Sequence, residues 1–140
     1  MRYLGIDFGT KRIGLAISDE MGIIAGKYDT LQSKGLKRDI ECIKGIIEKE
    51  KIEKVVIGLP KNMDGSLSET AQKVGDFAKG IRKLTGIPVE TWDERLSSIS
   101  AEKVLIKGDV RRNKRKRVID QLSAVIILQN YLDYQNHVGR

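Results

Sequence analysis

Four acids stand where an acid does little for a folding chain: Asp7, Asp93, Glu94 and Asp120. Asp7 closes the apolar run Tyr3-Leu-Gly-Ile-Asp7, which reads as a short strand from the middle of a sheet. An ionised carboxylate buried there is costly unless it is paired, hydrogen-bonded or bound to a cation. Asp93 and Glu94 end a second strand-like stretch, just after Trp92. Asp120 lies early in a long helical pattern between Val118, Ile119 and Leu122, with the small Ser123 and Ala124 one turn on. Each acid has a structural reading of its own. Asp7 serves as an Asx-type turn cap, and Asp93 and Glu94 pair with Arg95 or Lys103 or cap the next helix. Asp120 then sits near a helix N-terminus, favoured by ~0.3–1 kcal/mol. Brought together at one sheet edge, three carboxylates would repel severely without a cation. Mg2+ or Mn2+, hard ions suited to oxygen ligands, would relieve that repulsion. Two such ions can clamp the attacking water and the leaving oxygen of a phosphodiester. The expected chemistry is metal-dependent phosphodiester hydrolysis, with Asp7, the Asp93–Glu94 pair and Asp120 supplying the catalytic carboxylates and metal ligands.

The charge distribution points the same way. The net charge is +7, and six of the cations lie together without an acid among them: Arg111, Arg112, Lys114, Arg115, Lys116 and Arg117. The rest of the chain is nearly neutral. The cluster reads either as a solvated loop and helix start or as a grip on phosphates, beside the helix that carries Asp120. Cations at a helix N-terminus oppose its dipole, which weakens the purely structural reading.

Other chemistries find little support. His137 is the one histidine and stands three residues from the end of the sequence. A histidine-based catalyst is therefore not expected. There is no Cys/His spacing for zinc and no Walker-type phosphate loop. Cys42 is the single cysteine, so no internal disulfide is expected. Neither a signal-peptide pattern nor an apolar run of ~18–20 residues occurs. The expectation is a soluble, reduced, cytoplasmic protein forming a single domain over residues 1–140.

The elements that must position these acids follow from periodicity. Residues 2–7, 12–18 and about 23–29 read as three strands joined by short turns. Such turns force an antiparallel meander, since parallel pairing needs a longer crossover. Leu36, Ile40, Ile43 and Ile47 then recur at helical spacing. Lys54–Leu59 has the β-branched run of a central strand. Ser66 and Glu69 have the form of a capping box, opening a helix with Ala71, Val74, Phe77, Ile81 and Leu84 on its apolar stripe. Pro88–Trp92 is a last strand, followed by a short helix near Ile99–Ile106. A final helix, about Lys114–Tyr134, is expected to bury Val118, Leu122, Val125, Ile126 and Leu132. The order βββαβαβαα predicts an α/β fold, a mixed five-stranded sheet with helices on both faces. Strands parallel to the first would bring their acids out at its carboxyl edge, where ligands collect in such sheets.

Four segments, in order along the chain, carry a family resemblance. They are Gly5-Ile-Asp-Phe-Gly-Thr-Lys11 with Gly14, Gly58-Leu-Pro-Lys-Asn-Met-Asp-Gly65, Asp93-Glu-Arg-Leu96, and Asp120-Gln-Leu-Ser-Ala124 before Ile126-Ile-Leu-Gln129. Together they resemble the YqgF or RuvX group of Holliday-junction-resolvase-like proteins, also described as pre-16S rRNA nucleases. The resemblance implies a ribonuclease-H-like fold and Mg2+- or Mn2+-dependent cleavage, with Asp7, Glu94 and Asp120 as its acidic site. It implies structured RNA or branched DNA as partner, and a small homo-oligomer such as a homodimer. Lys61 and Asn62 become candidates for substrate phosphate, as do Lys11, Arg95 and the basic cluster; a structural turn is the other reading of the Lys61–Asn62 loop. The likeness departs at Ser123, where junction resolvases of this fold carry a further acid.

Two other functions fit parts of the pattern. A non-catalytic nucleic-acid-binding module would use the basic cluster and leave the acids idle. The Asp7-Phe-Gly-Thr-Lys11 turn also resembles the first phosphate loop of actin-like ATPases, but those close two such domains around ATP.

Overall fold

The computed structural model describes residues 1–9, 11–59, 69–93 and 112–138; the side chains of residues 69–70, 112–121 and 137–138 lie outside that description. The chain opens with the predicted meander: β1 (Tyr3–Phe8), β2 (Arg12–Ser18) and β3 (Ala25–Gln32). Then come α1 (Leu36–Glu50), β4 (Lys54–Leu59), α2 (Glu69–Thr85), β5 (Val89–Asp93) and α3 (Arg112–Val138). The expected short helix near Ile99–Ile106 and the Ser66 cap fall outside the described residues. The sheet order is β3-β2-β1-β4-β5, with β1–β2 and β2–β3 antiparallel and β1–β4 and β4–β5 parallel. The mixed five-stranded sheet is as the sequence led one to expect.

The third strand starts and ends later than expected. Ile23 and Ile24 belong to the turn, where the Asp19 carboxylate accepts hydrogen bonds from both of their backbone N–H groups (2.8 and 3.1 Å). Those bonds hold Asp19 below the usual carboxylate range. The strand then runs on to Gln32, which pairs with Arg12. Its polar residues do not end it, because an edge strand can leave them in water.

Two cores lie on opposite faces of the sheet. Under α1 and α2, Leu4, Ile6, Ile13, Leu15, Val55 and Ile57 meet Ile43, Val74, Phe77 and Ile81. Leu36 and Leu84, expected on these stripes, are exposed. Each sits at a helix end. On the other face Ala16 and Val56 pack against Ala124, Ile127, Leu128, Tyr131 and Leu132 of α3. This corrects the expected stripe, of which Leu132 is buried while Leu122, Val125 and Ile126 are only half-buried. The helix is apolar most of the way round between Ala124 and Leu128, so periodicity alone selects no face. Close approach to β1 selects it, through the small Ala124.

Candidate active site

Alternation along the strands decides which side chains share a face. On β1, Leu4 and Ile6 enter the core beneath α1 and α2, so Tyr3, Gly5 and Asp7 face α3. Asp7 is half-buried and pairs in register with Gly14 of β2. Ile6 pairs with Ile57, which brings the next residue of β4, Gly58, beside Asp7 on its other flank; Gly58 in turn pairs with Trp92. Asp7 therefore has a glycine on each side. At its level neither neighbouring strand contributes a Cβ beside the carboxylate.

The turn after Asp7 is built as tightly. A Cβ on Gly9 would stand 2.5 Å from the carbonyl oxygen of Arg12, so only glycine lets β1 turn directly into β2 there. That turn keeps Asp7 at the end of its strand, one residue from the carboxyl edge. Leu59 of β4 and Asp93 of β5 pair with each other at the same edge.

Helix α3 crosses this face antiparallel to β1. Its Ala124 and Leu128 lie over Gly5, where a Cβ would be 2.7 Å from Leu128 Cβ and 3.2 Å from the Ala124 carbonyl oxygen. Further along, Tyr131 stacks near Tyr3, with ring centroids 6.0 Å apart. Moving back along α3 from Ala124 therefore means moving up β1 from Gly5 toward Asp7. One helical turn rises ~5.4 Å and two strand residues span ~6.6 Å. The backbone of Asp120, one turn before Ala124, is accordingly the part of α3 that runs toward Asp7.

The other expected site residues are only partly described. Glu94, Lys61, Asn62, Arg95 and Arg111 lie outside the described residues. Arg112, Lys114, Arg115, Lys116 and Arg117 occupy the first turns of α3, their side chains outside the description. Lys11 is exposed directly after the Asp7 turn. Among the described residues no three acidic or histidine side chains gather as a metal site.

A polar cluster that sequence reasoning missed holds α3 in place. The Tyr131 hydroxyl donates to Glu90 of β5, and Lys54 of β4 reaches the same carboxylate at 2.9 Å. Burial, then the bond to Glu90, pushes the Tyr131 hydroxyl up to about 12. The same hydroxyl, helped by Lys54, holds Glu90 below the usual carboxylate range. Trp92 packs edge-on against Tyr131 at 5.5 Å, and its buried indole N–H has no acceptor among the described residues. Gln129 adds a second tie, accepting from Ala25 N–H (2.8 Å) and donating to the Ile23 carbonyl (2.9 Å). The available signal was Glu90 alternating with Trp92 in a strand, opposite a tyrosine in an apolar helix.

Comparison with known proteins agrees with this fold. Residues 1–134 match the family model described as RuvX, Holliday junction resolvase. The chain belongs to the RuvX family. Curated relatives named "Putative pre-16S rRNA nuclease" include one from Halothermothrix orenii, 51% identical over 136 residues, covering 97% of each chain. Another, from Clostridioides difficile, is 51% identical over 134 residues, covering 96% of this chain and 95% of its own. Among solved structures, Thermus thermophilus RuvC in complex with a Holliday junction substrate superposes with a TM-score of 0.67 at 16% identity, covering 98% of this chain and 96% of that one. The fowlpox virus Holliday junction resolvase follows at 0.57 and 14%, covering 95% and 99%. At such identities the two structures establish the shared fold.

Proposed function

We propose that this member of the RuvX family is a divalent-metal-dependent nuclease that cuts structured RNA at the 5′ side of a ribosomal RNA precursor. The observation that carries it is Asp7, flanked by Gly14 and Gly58 on the face that α3 crosses. In this reading Asp7, Glu94 and Asp120 hold the cation. Glu94 is the next residue in sequence after Asp93, where β5 ends, and Asp120 precedes Ala124 by one turn of α3. All three donors are carboxylates, the oxygen set that Mg2+ and Mn2+ favour. A bound ion would supply charge neutralisation and an activated water at the scissile phosphate. Lys11, Lys61, Asn62, Arg95 and Arg111–Arg117 would hold backbone phosphates, so selectivity would come from substrate shape rather than base edges.

A branched DNA junction is the second reading, supported by the family description and by the Holliday junction bound to the Thermus relative. Ser123, where junction resolvases of this fold carry an acid, favours RNA.

Cleavage of a labelled pre-rRNA 5′ fragment and of a four-way DNA junction tests both readings. Each substrate is offered with Mg2+, Mn2+ or EDTA, to wild type and to Asp7→Asn. The expected result is metal-dependent cutting of the RNA, lost in Asp7→Asn. Preferential cutting of the junction would instead establish the second reading. Binding of both substrates, with neither cut by wild type in any metal, would overturn both.

A further inference from the structure

The catalytic edge has a second charged flank, on the opposite face from α3, whose first turns carry Arg112–Arg117. Because β3 runs parallel to β1, its end and the start of α1 lie at the same edge as Asp7. A cleft of about 270 Å³ opens there, lined by Phe8, Ser33, Leu36, Asp39, Lys73 and Asp76. Asp39 also lines a larger neighbouring cleft of about 690 Å³, along with Gln32, Lys34, Arg38, Glu41 and Cys42. The two clefts adjoin at Asp39, and the first is lined by Phe8, the residue after Asp7.

Lys34, Arg38 and Lys73 line this surface, and Lys11 and Lys37 stand close by in the chain. All five are exposed, and none forms an ion pair among the described residues. Arg2, Lys44 and Lys54, by contrast, all reach carboxylates. Lys11 joins the group through its carbonyl, which accepts from Ser33 N–H at 2.9 Å. Asp39, the acid nearest in sequence, is buried and turned inward, accepting from the Ser33 hydroxyl (2.6 Å) and the Lys34 N–H (2.9 Å). Asp76 and Glu41 are the exposed acids of that lining, against the three cations Lys34, Arg38 and Lys73. Lys37 and Arg38 stand in the first turn of α1, where cations oppose the helix dipole. Helix stability does not account for them.

We propose that this surface binds the phosphodiester backbone of the nucleic acid, as a second binding strip beyond the catalytic edge. It rests on the nuclease reading for the identity of the ligand. The substrate then straddles the edge, held from the α3 face by the basic segment and from the α1 face by Lys34, Lys37, Arg38 and their neighbours. A bent or branched polymer can present two backbone segments in that way.

The test measures binding in the Asp7→Asn background with EDTA, so that cleavage plays no part. The triple variant Lys34→Ala, Lys37→Ala, Arg38→Ala is expected to bind a structured RNA and a DNA junction about tenfold more weakly. Its salt dependence should flatten by roughly one counterion for each phosphate no longer neutralised. Lys79→Ala, further along α2 and in neither cleft lining, should change neither quantity. Bound nucleic acid should also slow alkylation of Cys42, which is exposed on the second cleft. An unchanged salt slope in the triple variant, an equal weakening in the α2 control, or unslowed Cys42 alkylation would each overturn the proposal. So would a weakening confined to one polymer, because the phosphodiester backbone is common to RNA and DNA. The nuclease reading fails separately: wild type that cuts nothing refutes it even where this surface binds.

Discussion

Gly5 of β1 and Leu128 of α3 meet so closely that one additional methyl group at Gly5 would sit 2.7 Å from Leu128 Cβ. The glycine sets how near the helix lies to the sheet, and therefore how near Asp120 is carried to Asp7. Gly5→Ala should destabilise the fold by about 1–3 kcal/mol through overpacking. Denaturant midpoints would show it, with cleavage falling further than stability accounts for. Adding Leu128→Gly, which removes that Cβ, should relieve part of the clash, so the double variant should be more stable than the summed single effects predict. Strict additivity would refute direct contact as the cause.

Gly80→Ala makes an instructive contrast. Its Cβ would come within 2.3 Å of Ile40 Cδ1, the flexible tip of a side chain rather than a packed backbone. Replacing a helical glycine gains up to about 1 kcal/mol, which should offset the rotation of Ile40. A thermal midpoint close to wild type is expected, and a drop as large as that of Gly5→Ala would show that Ile40 cannot move.

The proposed metal ligands make a graded prediction. Glu94→Gln and Asp120→Asn should each lower kcat by on the order of a hundredfold, about 3 kcal/mol of transition-state stabilisation. Excess Mn2+ should recover more activity in these variants than in Asp7→Asn if Asp7 is the central ligand. Full activity in either variant at ordinary metal concentration would remove that residue from the site.

Tyr131→Phe probes the tie between α3 and β5. Loss of a charge-assisted hydrogen bond should cost roughly 1.5–3 kcal/mol near neutral pH. The hydroxyl ionises near 10 in the unfolded chain and at about 12 in the fold. Between those values the unfolded state holds fewer protons, so stability falls as pH rises. The gap between wild type and Tyr131→Phe should therefore be full below pH ~10 and close as pH approaches 12. Unfolding curves across that range would check it, and a constant gap would show that the hydroxyl is not linked to folding.

Asp39→Ala should destabilise the start of α1 by about 1–3 kcal/mol, because it leaves the Ser33 hydroxyl and the Lys34 N–H without their acceptor. Asp39→Asn, which keeps an acceptor oxygen, should recover much of that stability. Equal effects in both would indicate that charge, rather than hydrogen bonding, matters there.

Residue order alone dictated the meander, the βα crossovers and the mixed sheet, because short turns permit only antiparallel pairing and local periods separate strands from helices. It also marked Asp7, since an acid ending an apolar strand is conspicuous at any register. The buried face of α3 was not legible: Val125, Ile126, Ile127 and Leu128 are all apolar, and only the close approach to Gly5 decides among them. The glycine flanks of Asp7 likewise arise from strand pairing, which joins Gly14 and Gly58 to it across 44 residues of chain. The Tyr131–Glu90–Lys54 cluster and the cationic rim beside Phe8 have the same origin. These features came from the folded arrangement because they depend on which distant residues become neighbours, a relation that local spacing does not encode.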